Sequence, residues 1–167
     1  AAAASWRRPV ASGAPFALSL PRSAAADLGA GLGRALPATF FDRSPLQVAA
    51  ALVGMQLQRR WQGEWLLAAV VETEACYQRE RGSHASLGRT PSREALWAPA
   101  GTLYLYYSRG KGSLNISCRG GGNSVLVKAA VATCGGRASE VMHALNPAPQ
   151  GGRRPLSRLC AGQALAA

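Results

Sequence analysis

Residues 55–75 read MQLQRRWQGEWLLAAVVETEA, and the fold prediction starts from this stretch. Apolar side chains stand at alternate positions in its first half, at Met55, Leu57 and Trp61, as in a half-buried strand. Gln62-Gly63 is a typical two-residue turn, and an extended run from Glu64 to Glu74 follows it. The pattern therefore predicts a β-hairpin.

The segments around this hairpin predict more strands in the middle of the chain and a helix on either side. Ser44-Pro45-Leu46-Gln47 combines an N-cap serine, a proline at the first helical position and a glutamine at the third, and Gly54 ends the helix. A second helix is expected from a cap at Ser139 to Leu145. After a loop over 78–100, the Gly-rich turns separate three further strands, expected at 102–108, 113–118 and 124–131. Periodicity alone thus gives a β-rich core with helices at both ends.

The chain of 167 residues has room for one domain. Residues 1–36 are rich in Ala, Gly, Pro, Ser and Arg and contain a single acid, Asp27, so we expect a disordered or targeting-like tail. Residues 37–167 are expected to form the folded domain.

The composition favours a polyanionic partner. The net charge is +11, from 19 Lys and Arg against 8 Asp and Glu, and cations that neutralise phosphates release counterions. The alternative is a basic protein whose arginines reflect codon usage. The four cysteines form no C-x-x-C pair, so no metal site is expected, and no apolar run is long enough for a membrane span.

Two acids on the long strand are the first candidates for chemistry. Strict alternation places Glu72 and Glu74 on one face, together with Val70 and Cys76. A carboxylate beside a phosphate-binding surface is repelled by the ligand unless it has a role there. The alternative is a surface pair balanced by nearby arginines such as Arg79 and Arg81.

Several linked motifs resemble those of the alkyladenine (3-methyladenine) DNA glycosylase family. They are VETEA at 71–75, GSHA at 82–85, RTPSR at 89–93, GTLYLY at 101–106 and LNIS at 114–117, with LSRLC at 156–160 matching a later motif. The resemblance implies one mixed α/β (α+β) domain with a curved, mainly antiparallel sheet and flanking helices. It also implies an enzyme that flips a damaged purine out of duplex DNA and hydrolyses its glycosidic bond.

The resemblance assigns catalysis to Glu74, which corresponds to the carboxylate that activates water. Physical chemistry agrees with that role, because a fixed carboxylate can take a proton from water and stabilise an oxocarbenium-like transition state. Glu72 would be structural, or would raise the pKa of Glu74 through like-charge repulsion.

Five further residues match pocket positions of the family. Tyr106 and Tyr104 would form the aromatic wall for the flipped base, Asn115 would crowd the amino group of guanine, and His84 would contact the flipped nucleotide's backbone. Cys76 stands where the family usually has a tyrosine. Without the motifs, the tyrosines read as ordinary sheet packing, Asn115 as a turn or edge residue and His84 as a surface residue.

Basic residues are expected to contact the DNA. Arg109 aligns with the family residue that intercalates into the duplex, and an arginine can stack in a vacated base site. The candidates for phosphate contacts are Arg89, Arg93, Arg119 and Lys128, with solvated charge as the alternative.

The resemblance further implies a monomer in the bacterial cytoplasm, associated with the nucleoid, that acts on double-stranded DNA containing damaged purines. It implies no metal, no organic cofactor and no membrane. Because the family continues beyond the LSRLC motif, we expect part of the sheet to be missing from this chain. Two other hypotheses stay open: a non-catalytic DNA-binding remnant, and a glycosylase that is also a lyase through a Schiff base at Lys128.

Overall fold

The computed structural model describes residues 16–19, 35–108 and 111–145. Within these ranges six strands form one sheet in the order β1-β2-β3-β6-β5-β4, and each neighbouring pair is antiparallel. The strands are β1 (Phe16–Ser19), β2 (Gln56–Trp61), β3 (Glu64–Cys76), β4 (Leu103–Ser108), β5 (Lys111–Ser117) and β6 (Ser124–Ala132). The helices are α1 (Ala38–Phe41), α2 (Pro45–Leu52) and α3 (Gly136–Leu145). The predicted single α/β domain with a curved antiparallel sheet is confirmed.

Helix α2 begins as its sequence predicts. The Ser44 hydroxyl accepts a hydrogen bond from the Gln47 amide, and the Gln47 side chain accepts one from the Ser44 amide, which completes a capping box. Pro45 occupies the first helical position, where its missing N–H costs nothing. The apolar side of α2 then packs on the sheet.

The β2–β3 hairpin also forms as predicted. Gln62 and Gly63 both have positive φ, at 46° and 87°, as a two-residue turn of this hairpin class requires. Trp61 pairs with Glu64 across the turn, which fixes the register of the whole hairpin.

One face of the sheet carries the main core. Helix α2 packs on β3 and β6. Val48 and Leu52 of α2 and Leu114 and Ile116 of β5 belong to the same core, and all four side chains are fully buried. The same core includes alternate residues of β6 and buried residues of β2, β3 and α3, among them Val125, Val127, Leu57, Leu66, Val70 and Met142. The opposite face of the β3–β6–β5–β4 part is free of this core and carries the polar residues described below.

A register shift in the middle of β3 changes which side chains face the core. The β3–β6 pairing shifts between Val70 and Glu72 and again between Glu72 and Thr73. Before the shift Val70 is buried in the core, whereas after it the Thr73 hydroxyl donates to the Ala49 carbonyl of α2 at 2.9 Å. The sequence-based placement of Val70 on the face of Glu72 and Glu74 is therefore wrong, because the irregularity interrupts the alternation.

Other parts of the fold differ from the sequence-based expectation. Strand β1 lies inside the tail that was expected to be disordered, so that prediction does not hold for Phe16–Ser19. Residues 1–15 and 20–34 lie outside the described residues, and the domain boundaries stay a prediction. The stretch 78–100 contains two 3-10 helices, η1 (His84–Leu87) and η2 (Glu94–Trp97), and α3 begins at Gly136, so Ser139 lies inside it. In the described ranges, no helix is both long and apolar enough to cross a membrane.

Candidate active site

Four side chains share one row across the polar face of the sheet. Glu74 of β3 pairs with Leu126 of β6, Leu126 pairs with Asn115 of β5, and Asn115 pairs with Tyr104 of β4. Cross-strand partners point to the same face of a sheet, so these four side chains face the same side. With strands spaced about 4.8 Å apart, the Cα atoms of Glu74 and Tyr104 lie about 14 Å apart along the row. Leu126 and Asn115 form the floor between them.

The carboxylate end of this row is a charged triad. The Lys128 ammonium lies 3.1 Å from a Glu74 oxygen and 3.4 Å from a Glu72 oxygen. Both contacts raise the pKa of Lys128, and the contact with Glu74 has the larger effect. Lys128, and not the Arg79 or Arg81 suggested by the sequence, therefore balances the two acids. About half of each glutamate side chain remains exposed, so both carboxylates can be reached from solvent.

The opposite end of the row is aromatic. The Tyr104 hydroxyl and His84 Nδ1 are 2.7 Å apart, and the Tyr106 ring lies 4.5 Å from the His84 ring and 5.2 Å from the Tyr104 ring. Burial raises the pKa of Tyr104 to about 12, so its hydroxyl keeps its proton at neutral pH. Burial and then the charge of Arg93 lower the pKa of His84. The Tyr104 hydroxyl can donate to Nδ1 of a neutral His84 ring whose proton is on Nε2, or accept from Nδ1 when the proton is there.

The loop over 78–100 places His84 over the sheet. Ser83 caps η1 by accepting a hydrogen bond from the Ala85 amide, so His84 begins this short helix. Ala85 and Leu96 are buried with Tyr104 in a small second cluster, against which Tyr106 and Trp97 pack. Tyr104 is only 4% exposed, so Tyr106 and His84 present the ring surface that a ligand can reach.

Asn115 is a buried polar residue with spare hydrogen-bonding capacity. Its side chain is nearly buried, at 5% exposure, and its Oδ1 accepts a bond from the Ser124 hydroxyl at 3.4 Å. Its Nδ2 atom is buried and has no hydrogen-bond partner. Since buried donors are rarely left unsatisfied, this amide is a candidate group for contacting a ligand on the floor of the site.

Cys76 lies at the end of β3, beside the row. Its thiol donates to the Glu74 carbonyl, and burial, reinforced by the charge of Glu74, raises its pKa to about 11. The thiol is therefore protonated at neutral pH and unreactive. In the described chain Cys76, Cys118 and Cys134 are free thiols, and no group of three or more His, Cys, Asp or Glu residues there could hold a metal ion.

The four predicted phosphate-binding cations already have protein partners. Arg89 forms an ion pair with Glu94, and Arg119 forms one with Asp42. Arg93 donates to two backbone carbonyls, and Lys128 binds the glutamates. By contrast Arg79 and Arg81, in the exposed turn that follows β3, have no acidic partner within the described ranges. Arg109 lies outside the described residues.

The structure thus brings together Glu74, Cys76, His84, Tyr104, Tyr106 and Asn115 on one face. Sequence reasoning missed the floor residue Leu126 and its neighbour Ser124, and it did not foresee that Arg93 binds backbone carbonyls of its own loop. The alternation in 124–131 could have identified Leu126 and Ser124 as residues on the Lys128 face. Nothing in the sequence indicates the two carbonyl bonds of Arg93.

The arrangement has the parts of a site for a planar aromatic group. Ring surfaces of His84 and Tyr106 can stack against such a group, the Asn115 amide can bond its edge, and the Glu74 carboxylate stands at the far end. The fold and the site together define a mixed α/β protein with a carboxylate facing an aromatic wall, in a strongly basic chain.

Comparison with known proteins identifies the family. The methylpurine-DNA glycosylase (MPG) family model matches residues 39–167, and the chain belongs to this family. A Pseudomonas aeruginosa protein with the provisional name 3-methyladenine DNA glycosylase is 48% identical over 136 residues, covering 79% of this chain. Similar proteins of Pseudomonas syringae pv. syringae and Rhodopirellula baltica, which carry the same provisional name, are 46% and 35% identical, covering 78% and 59% of this chain. The chain spans 57% of the length of the first relative, 60% of the second and 44% of the third.

Proposed function

We propose that this protein is a DNA-repair glycosylase that hydrolyses the bond between a damaged purine, such as 3-methyladenine, and deoxyribose in duplex DNA. One observation carries the proposal. The register shifts in β3 turn Glu74 away from the core and into the row that contains Asn115 and Tyr104. Family membership and the names of the relatives agree with it.

In the proposed reaction Glu74 activates the attacking water. The carboxylate accepts a proton as the water oxygen bonds to the anomeric carbon, and the bond from that carbon to the purine nitrogen breaks. Alkylation at a ring nitrogen makes the purine cationic, so the base leaves as a neutral molecule. Lys128 keeps the carboxylate at a fixed place in the row through its 3.1 Å contact.

The purine would be flipped from the duplex and bound over the floor of Leu126 and Asn115. Stacking on Tyr106 and His84 is worth about 1–3 kcal/mol per base. Asn115 would crowd the amino group of guanine and thereby reject the normal base. Cys76 is smaller than the tyrosine usual in the family and would leave more room on the carboxylate side of this pocket.

The protein would bind the phosphate backbone as a monomer through its exposed cations, without a metal or organic cofactor. Arg79 and Arg81 are more available for phosphate binding than the paired arginines. A cation without an acidic partner loses no ion pair when it binds phosphate. Arg89 and Arg119 would have to exchange their carboxylates for phosphates.

A DNA-binding protein without activity is the second candidate, and one observation favours it. Lys128 contacts both carboxylates, and a carboxylate oxygen engaged by an ammonium group has less capacity left to bind the attacking water. A lyase reaction through Lys128 has less support. A Schiff-base lysine needs a lowered pKa, whereas Glu74 and Glu72 raise the pKa of Lys128.

The test is single-turnover base release from methylated DNA and from a duplex with one hypoxanthine, measured at equal DNA occupancy. Glu74→Gln should abolish release while binding persists. Glu72→Gln is the matched control, because it removes the other carboxylate of Lys128 and should retain most of the activity. Release lost equally in both variants would exclude a specific role of Glu74. No release by the wild-type protein, with intact salt-dependent binding, would leave the DNA-binding alternative.

A further inference from the structure

Arg93 connects the two 3-10 helices of the loop over 78–100. It stands at the N-cap of η2, and its side chain reaches back to the end of η1. Its Nε donates to the Gly88 carbonyl at 2.8 Å, and its Nη2 donates to the Leu87 carbonyl at 3.0 Å. Carbonyls at a helix end have no partner within the helix, so the guanidinium provides one.

Arg93 binds the end of the short helix that carries His84, a member of the aromatic wall. His84 begins the same helix whose end Arg93 caps, and η1 has only four residues. We therefore expect a displacement of the Leu87 end to move the His84 ring, which lies 4.5 Å from the Tyr106 ring and within hydrogen-bond distance of the Tyr104 hydroxyl. Ala85 of η1 and Leu96 of η2 are buried together with Tyr104, and this apolar cluster also holds the two short helices together.

Arg93 also acts on His84 through its charge. The groups around the His84 ring are the Tyr104 hydroxyl, the Tyr106 ring and the Arg93 guanidinium. Burial and Arg93, in that order, lower the pKa of His84 and keep the ring neutral. A neutral ring can accept the Tyr104 hydroxyl proton at Nδ1, whereas a protonated ring cannot.

We propose that Arg93 is a positioning residue of the base pocket, which holds His84 against Tyr104 and Tyr106, and that it is not a phosphate contact. The identity of the ligand as a flipped base rests on the proposed function. The effect of Arg93 on His84 in the free protein does not depend on that function.

The decisive variants are Arg93→Gln and Arg93→Lys, with Arg89→Gln as the matched control. Arg89 lies in the same loop and is exposed, but its partner is Glu94, not the end of η1. Circular dichroism and a thermal melt of each variant establish that it is folded. Arg93→Lys keeps the positive charge but replaces the rigid fork, whose Nε and Nη2 bind the two carbonyls, by a single ammonium nitrogen, which separates charge from geometry.

The first readout is the pKa of His84, measured by NMR titration of its ring in the free protein. We expect a higher pKa in Arg93→Gln, a smaller change in Arg93→Lys and no change in Arg89→Gln. The second readout is the slope of log K against log salt for an undamaged duplex. A lost phosphate contact reduces this slope by about 0.9, whereas loss of a positioning residue leaves it unchanged.

The third readout is single-turnover base release, which should fall about tenfold or more in Arg93→Gln at unchanged duplex affinity, because small displacements of positioning groups have large effects on rate. A reduced salt slope with an unchanged His84 pKa would overturn the inference. If the wild-type protein releases no base, the proposed function fails. The titration and the salt slope still decide the role of Arg93.

Discussion

Gly122 packs beside the loop that carries His84, since its amide donates to the Leu96 carbonyl at 2.8 Å, and its replacement by alanine tests the packing of that loop. It lies in the turn between β5 and β6 with φ of +81°. An added Cβ would lie 2.5 Å from Gln78 Cγ, 2.9 Å from Gln78 Cβ and 3.3 Å from Ala85 Cβ. The backbone amide of Gln78 donates to Asn123 Oδ1 at 3.1 Å. Ala85 is fully buried and follows His84 in the chain. Gln78 Cβ is fixed by its own backbone, and Ala85 is the chain neighbour of His84, so a shift of Ala85 would displace the His84 ring.

Two costs add in Gly122→Ala. An alanine in the left-handed region costs about 1–2 kcal/mol. Overpacking against the stem of Gln78 and against Ala85 costs a further ~1–3 kcal/mol. Gly54→Ala is the matched control, since Gly54 has φ of +85° and no heavy atom would lie within 4 Å of the new Cβ. Gly54→Ala therefore loses only the stability that the left-handed backbone conformation costs, without overpacking.

Urea denaturation of both variants gives the two losses in free energy of unfolding. We expect Gly122→Ala to lose at least about 1 kcal/mol more than Gly54→Ala, from the overpacking contribution. Base release should fall in Gly122→Ala and stay near the wild-type rate in Gly54→Ala, because only the former displaces the residue next to His84. Equal losses of stability in the two variants would refute the packing argument.

Two further predictions concern charge. The pKa of His84 is lowered from 6.5, so its contribution to stability is fully present above pH 6.5 and is lost as the pH falls below that value through the folded pKa. Free energies of unfolding measured at several pH values should show this decline. An equal decline in His84→Gln would assign it to another group. The double variant Arg79→Gln/Arg81→Gln should reduce the salt slope of duplex binding by about 0.9 per lost contact. In the control Arg89→Gln, whose arginine is paired with Glu94, the slope should change less.

Local signals made α2 and the hairpin predictable. Ser44, Pro45 and Gln47 specify a helix start through bonds within four residues, and Gln62-Gly63 specifies a turn through its backbone preferences. The motifs that resemble a glycosylase also indicated which residues gather at the site, because their order along the chain is that of the family. None of this required knowledge of how the strands pack.

Contacts between distant residues were not predictable in the same way. Lys128 lies far from Glu72 and Glu74 in sequence, and it meets them because β6 pairs with β3. The sequence suggested arginines close to the acids instead. Strand β1 was missed for the same reason, since its four residues are stabilised by pairing with β2 and carry little pattern of their own.

The sequence by itself determined the helix start, the hairpin, the order of the strands along the chain and the family to which the candidate residues belong. Tertiary structure alone decided the face on which Glu74 lies. Strict alternation would keep Glu74 on the side of Val70, in the core, and the paired register shifts around Glu72 turn it to the open side. Such a shift depends on how two strands fit together over a curved core, so it cannot be predicted from the sequence of one strand.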